Sequence, residues 1–309
     1  MVESYYGFAE RPFALTPDPR FFYLSQDHID ALEHLVYGID EGEGFLMLCG
    51  PVGTGKTTLS HVLTERLGAR VITSVILNPF QSWPELLKNI VWDFGIIPEG
   101  TSPGELASQL IEFLIREIGP SGRTALVLID EAQNLSAETL EQLRVLSNIE
   151  TEKEKLLQIL LLGQEELLLK LNRPELRQLR QRISIKYLLS PLKRPEVGKY
   201  LAHRLSVARP EHLPVFTPGA VREIYRFSQG IPRLINMVAS RALVGGFVQE
   251  TCEIDRRIVK KALLSLFGDK RREIRRIERY EDLPDEPSPR PSPPRNPDNE
   301  AEARLEESP

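Results

Sequence analysis

The apolar run GFLMLC, residues 44–49, ends directly on GPVGTGKT, Gly50 to Thr57, and that stretch opens into KTTLSHVLTERL. Few folds accept this order. A short run without polar residues reads as a buried strand, and the sequence after it places Leu59, Val62, Leu63 and Leu67 on one helical face. Between them stands G-x-x-x-x-G-K-[ST]. Its glycines let backbone N–H groups curl around phosphate oxygens, and the helix N-terminus adds a positive partial charge aimed at the same anion. Gly50, Pro51, Val52, Gly53, Thr54, Gly55, Lys56, Thr57 and Thr58 are therefore the expected phosphate contacts of a bound nucleotide. Lys56 would reach the β- and γ-phosphates, and the Thr57 hydroxyl would ligate Mg²⁺.

Four further runs resemble the first: 71–77, 124–129, 156–162 and 183–189. Helical patterns separate most of them, including one at 25–39 with Ser25 as its cap. Strands alternating with helices predict an α/β fold, a doubly wound parallel sheet of five strands covered on both faces. The third run ends on two carboxylates, in ALVLIDEAQ at 125–133. Asp130 at the strand tip can hold the Mg²⁺ shell, and Glu131 can polarise an attacking water. That division of labour is what hydrolysis needs. Ser136 can cap the helix that follows.

After Pro191 the strand signal stops, and 195–208, 217–228, 231–247 and 255–267 read as four helices of a small helical domain. Thr217-Pro218 is a cap with proline in the first helical position. The tail changes character twice. Residues 269–283 are densely charged, and 284–309 are proline-rich, polar and too poor in apolar groups to fold. Expected domains are 1–192, including an aromatic, proline-rich start, then 193–268, then 269–309.

The net charge of −5 gives no global basic field for nucleic acid. Cys49 and Cys252 form no CxxC and read as small core residues of a reducing compartment. No pair among the five histidines has zinc-ligand spacing. No signal peptide is legible, and the most apolar stretch, 156–171, is interrupted by Gln158, Gln164, Glu165 and Glu166. The expected location is the cytoplasm, with peripheral contact at the inner membrane as an open option.

With both motifs in place, the chain resembles AAA+ ATPases of the ExeA/GspA general secretion type, relatives of exosortase-associated, pilus-biogenesis and TniB/TnsC-like transposition ATPases. The resemblance covers about 4–267. It is carried by YYGFAERPFALTPDPRFFYLS, GPVGTGKTTL, LIDEAQNLSAETLEQLRVLSNIETEKEKLLQILLLGQEEL, PELRQLRQRISIKYLLSPL and GIPRLINMVASRAL. It implies ATP and Mg²⁺, a helical lid at the C-terminal side of the sheet domain, and a nucleotide-dependent homo-oligomer. It also implies roles by position. Gln164 falls at the sensor 1 position beside the γ-phosphate. Arg233 in GIPR falls at sensor 2, reaching from the lid. Asn78 could restrain Glu131, and adenine would lie between Tyr23–His28 and the lid.

The resemblance further places an arginine finger near 177–182. Arg177 and Arg180 share a helix face, and Arg182 lies about 200° from Arg180. Arg182, directly before a strand, ranks first as the finger, Arg177 second, and Arg180 reads as solvated. Larger family members continue into a transmembrane segment and a peptidoglycan-binding domain, whereas this sequence ends in a charged stretch and a polar tail. The expectation is a cytoplasmic ATPase that powers or regulates assembly of a secretion or envelope complex. The alternative is an ATP-gated assembly on DNA, using the basic run 270–279.

Overall fold

Side chains of β1 (Phe45–Cys49) alternate between two cores, so every one of them is buried. Phe45, Met47 and Cys49 enter one core; Leu46 and Leu48 enter the other. A strand in the middle of a parallel sheet has no wet face, which is why this run carries no polar residue. The computed structural model describes residues 1–16, 18–77, 79, 82–149 and 155–268.

Beside β1 lie β2 (Val71–Ile76), β3 (Thr124–Ile129), β4 (Leu157–Gly163) and β5 (Ile183–Leu188). They form one parallel sheet in the order β2-β3-β4-β1-β5. The five expected runs are thus the five strands, displaced by a residue at some ends. The interior strands β3 and β4 are apolar almost throughout, whereas the edge strand β5 buries only Ile183 and then alternates exposed with half-buried positions. Two polar residues sit inside the sheet, Ser74 of β2 and Gln158 of β4. Gln158 of β4 is fully buried, and its Nε2 donates to the carbonyls of Ile39 at 3.1 Å and Glu43 at 2.9 Å. It thereby satisfies backbone groups at the end of the helix Gln26–Asp40.

That helix and Lys56–Leu67 cover one face of the sheet through Leu35, Ile39, Leu59 and Leu63. The other face is covered by Trp83–Asp93, Pro103–Phe113, Ala137–Leu146, Glu165–Leu171 and Arg177–Arg182. Ser25 and Ser136 cap their helices as expected.

Beyond β5 the chain forms Arg194–Val207, Pro218–Ser228, Pro232–Val248 and Arg256–Phe267, the four anticipated helices. Thr217 accepts from the Ala220 N–H at 3.2 Å, and Pro218 opens its helix. A two-residue parallel pair, Val215–Phe216 with Glu253–Ile254, was not legible in the sequence.

Most of the aromatic start, assigned above to the sheet domain, packs elsewhere, while Phe22 stays against the sheet face. Tyr6, Phe8, Phe13 and Phe21 join Val197, Leu201, Ile235 and Val238 in the core of the helical part. The Tyr6 hydroxyl donates to the Leu243 carbonyl at 3.1 Å. Met1–Leu266 form one compact unit. The tail 269–309, with its basic run, and Asn78 lie outside the described residues.

Candidate functional site

The loop after β1 turns on residues that need a left-handed backbone. Gly53 has φ 82° and Gly55 has φ 102°, values that L side chains rarely adopt. Gly53 also lies against the helical part. A Cβ there would stand 2.6 Å from Cβ of Arg233, whose backbone N–H donates to the Gly53 carbonyl at 3.3 Å.

Lys56 is buried at the first turn of its helix. Its Nζ donates to the carbonyls of Gly50 at 2.8 Å and Pro51 at 3.0 Å, both in its own loop. Burial pulls the ammonium below the ordinary lysine range, and the carboxylates of Glu131 and Asp130 work against that pull. The Thr57 hydroxyl donates to Asp130 Oδ2 at 2.5 Å, while Asp130 Oδ1 accepts the Glu131 N–H at 2.8 Å. Asp130 is itself buried at the end of β3, where its N–H donates to the Ile76 carbonyl of β2.

Glu131 follows with φ 51°, a left-handed conformation costly for a residue with a side chain. That turn brings its carboxylate to Gln164, whose Nε2 donates to Oε2 at 2.9 Å. Gln164 stands at the N-terminus of the helix Glu165–Leu171, directly after β4. A parallel sheet puts the ends of β1, β3 and β4 side by side, so loops far apart in sequence meet there.

A pocket of about 410 Å³ opens at this edge. Val52, Gly53, Thr54, Gly55, Lys56, Thr57 and Thr58 line its floor, with Glu131 at one side. Phe22, Tyr23 and His28 come from the N-terminal stretch; Tyr200, Arg233 and Asn236 come from the helical part. The stretch expected to hold a base and the helices expected to face it therefore border one cavity. Tyr23 meets Tyr200 edge to face at 6.1 Å.

Of the lining groups, Tyr200, Arg204 and Asn236 escaped sequence reasoning, and the sequence places His28 there only as the end of the stretch set beside adenine. His28 Nε2 lies 3.0 Å from the Thr54 carbonyl and Nδ1 2.6 Å from the Ser25 hydroxyl, which fixes the tautomer with the proton on Nε2. Burial holds this imidazole below its ordinary pKa. Arg204 is buried with no carboxylate in an ion pair with it among the described residues. It donates to the carbonyls of Pro12 at 2.6 Å and Ala14 at 3.2 Å, and to the Tyr200 hydroxyl, and stacks over Phe21. Tyr200 in turn donates to Asn236 Oδ1 at 2.7 Å. No motif or spacing marks these residues; they are found only by folding the two ends together.

The arginines at 177–182 do not line the pocket. Arg180 donates to Asn172 at 3.0 Å. Arg182 is held within the chain by Asn148 Oδ1 and, at 3.4 Å, by the Arg144 carbonyl. Arg177 is exposed and has no polar partner among the described residues.

Comparison with known proteins bears on this arrangement. The AAA domain family matches residues 39–171. A General secretion pathway protein A from Aeromonas hydrophila is 42% identical over 254 residues, 82% of this chain. The chain spans about half the length of that relative, 46% of it. Among solved structures, the Aeropyrum pernix ORC2 protein in its ADPNP–ADP complexes matches with a TM-score of 0.62 at 20% identity, covering 82% of this chain and 71% of that one. The Thermotoga maritima RuvB Holliday junction branch migration motor matches at 0.52 and 18%, covering 84% and 78%. At such identities the two structures speak for the fold alone.

Proposed function

We propose, for a chain that belongs to the AAA+ proteins of the general secretion pathway protein A type, that it binds Mg-ATP and hydrolyses it to ADP and phosphate. We further propose that it works as a homo-oligomer whose turnover powers or regulates assembly of a secretion or envelope complex. The observation that carries the reading is the meeting of Lys56, the Thr57–Asp130 pair and the Glu131–Gln164 pair at one edge of the sheet.

Each group has a role the geometry supports. Backbone N–H groups of residues 50–58 and Lys56 would hold the phosphates. Lys56 would exchange two loop carbonyls for phosphate oxygens, which strengthens its charged form. The donor set suits a hard cation: a hydroxyl and a carboxylate oxygen touch, and both are oxygen ligands of the kind Mg²⁺ takes in small number. When bound, Mg²⁺ would neutralise charge on the phosphates. Glu131 would accept a proton from the attacking water, and Gln164 would orient that carboxylate. Arg233 would bring the helical part onto the phosphates. Arg177 or Arg182 would reach the neighbouring subunit's nucleotide.

The division into a nucleotide-binding part to residue 192 and a lid over 193–268, with the aromatic start packed on the lid, belongs to the same proposal. So does a cytoplasmic site of action, peripheral to the inner membrane. Among the described residues no helix is long and apolar enough to cross a membrane. The DNA-bound alternative rests on 270–279, and nothing among the described residues favours it.

The test is phosphate release by the full chain and by Glu131→Gln, with light scattering in the presence and absence of a slowly hydrolysed ATP analogue. Turnover in the wild type that the variant loses supports the reading. No protein-dependent turnover under conditions where the chain assembles removes it.

A further inference from the structure

We propose that Gln133 is a positioning residue for Glu131, fixing which oxygen of that carboxylate faces the attacking water. The inference rests on the hydrolysis reading above.

Three side chains close a ring. Gln133 Nε2 donates to Glu131 Oε2 at 2.5 Å, and Gln164 Nε2 donates to the same oxygen at 2.9 Å. Gln133 Oε1 accepts the backbone N–H of Gln164 at 3.2 Å. These contacts settle how the Gln133 amide is turned. Flipped, it would set an oxygen against the carboxylate and an N–H against an N–H. Two donors thus converge on Oε2. Oε1 has no partner among the described residues, and Glu131 lines the pocket. The oxygen left with free lone pairs is the one available to a water.

The ring spans two loops. Gln133 lies in the turn Ala132–Asn134 after β3, and Gln164 follows β4. Gln133 therefore couples the carboxylate to the sensor residue as well as touching it. The packing leaves it room: a Cβ on Gly163 would come 3.2 Å from Gln133 Oε1 and 2.7 Å from a Leu167 methyl carbon.

The turn has its own anchor. Lys170 Nζ donates to the backbone carbonyls of Gln133 and, at 2.6 Å, Leu135. Those contacts do not involve the Gln133 side chain. Removing the amide should free the carboxylate to rotate while the turn stays in place.

The experiment measures ATP affinity, kcat, KM and thermal melting for the full-length wild type, Gln133→Ala and Gln133→Glu. For Gln133→Ala we expect kcat to fall roughly ten- to hundredfold, the loss that follows removal of a hydrogen bond to a charged group. ATP affinity and KM should stay within about twofold, since the contact acts on the base and not on ground-state binding. Gln133→Glu keeps the shape but sets carboxylate against carboxylate. Its kcat should fall at least as far as that of Gln133→Ala, with ATP affinity again within about twofold.

A Gln133→Ala enzyme with kcat within about twofold of wild type overturns the proposal. So does a loss that tracks ATP affinity or melting, because it marks a structural role. Absence of turnover in the wild type removes the hydrolysis reading and this role with it; intact turnover in Gln133→Ala removes only the role of Gln133.

Discussion

The Thr57 hydroxyl donates to Asp130 at 2.5 Å, joining the helix after the phosphate loop to the tip of β3 across 73 positions of sequence. Both oxygens are of the type Mg²⁺ accepts. Thr57→Ala should weaken ATP binding in Mg²⁺ by about tenfold or more, while Thr57→Ser, which keeps the hydroxyl, should not. Titrating ATP with and without Mg²⁺ decides. An equal loss in both conditions would assign the hydroxyl to the fold instead of the cation.

The arginines separate by what already holds them. Arg182 spends its guanidinium on Asn148 and the Arg144 carbonyl, near the C-terminus of the helix Ala137–Leu146, where a cation is favoured. Arg177 is exposed and unengaged among the described residues. These contacts favour Arg177 over Arg182 as the proposed finger, the opposite of the order read from the sequence. Arg177→Ala should keep ATP affinity and lose the turnover that rises with protein concentration. Arg182→Ala should cost about 1 kcal/mol of stability and leave that concentration dependence in place. Comparing turnover per subunit across a dilution series with denaturant midpoints tests both halves.

Arg204 hangs the segment around Pro12 and Ala14 on the helical part. Methionine there keeps the length and loses both charge-assisted contacts. Arg204→Met should destabilise the protein by about 1.5–3 kcal/mol for a hydrogen bond lost from a charged group. Limited proteolysis should then cut within the first twenty residues sooner than in wild type. Equal cleavage rates would mean the aromatic contacts alone hold the segment.

His28 carries a pH signature. Burial depresses its folded pKa below the ordinary 6.5, so the unfolded chain takes up the proton first as pH falls. The stability from neutral His28 is full above about 6.5 and is lost as pH drops through the lower, folded value. Denaturant midpoints at pH 7.5 and 5.5 should fall further for wild type than for His28→Gln. Equal drops would show that other groups carry the acid sensitivity.

The sheet was legible because its strands obey a local rule. β1, β3 and β4 are buried on both sides, and apart from Thr124 at the start of β3 no polar residue but Gln158 survives within them. The phosphate loop was legible because glycine and lysine spacing is itself the chemistry. Caps such as Ser25, Ser136 and Thr217 act within three residues and could be read directly. What stayed hidden depends on distant partners. The cis contact of Arg182 needs Asn148, 34 positions away. The Gln133 amide meets Glu131 only because the latter adopts a left-handed backbone that its sequence does not demand. The aromatic start carries no mark of the core it joins.

That start has a consequence for biosynthesis. Tyr6 finds its acceptor on Leu243, 237 positions later in the chain. At ordinary elongation rates of roughly 5–20 residues per second, Tyr6 waits on the order of ten seconds or more for that partner to be translated. Phe8, Phe13 and Phe21 share the delay, since the helices they pack against are also made late. The nascent chain must therefore carry four aromatic residues in search of a surface while the sheet behind them is already able to close. Early contact with a holdase, and slow appearance of nucleotide-binding competence after release from the ribosome, follow from that order of emergence.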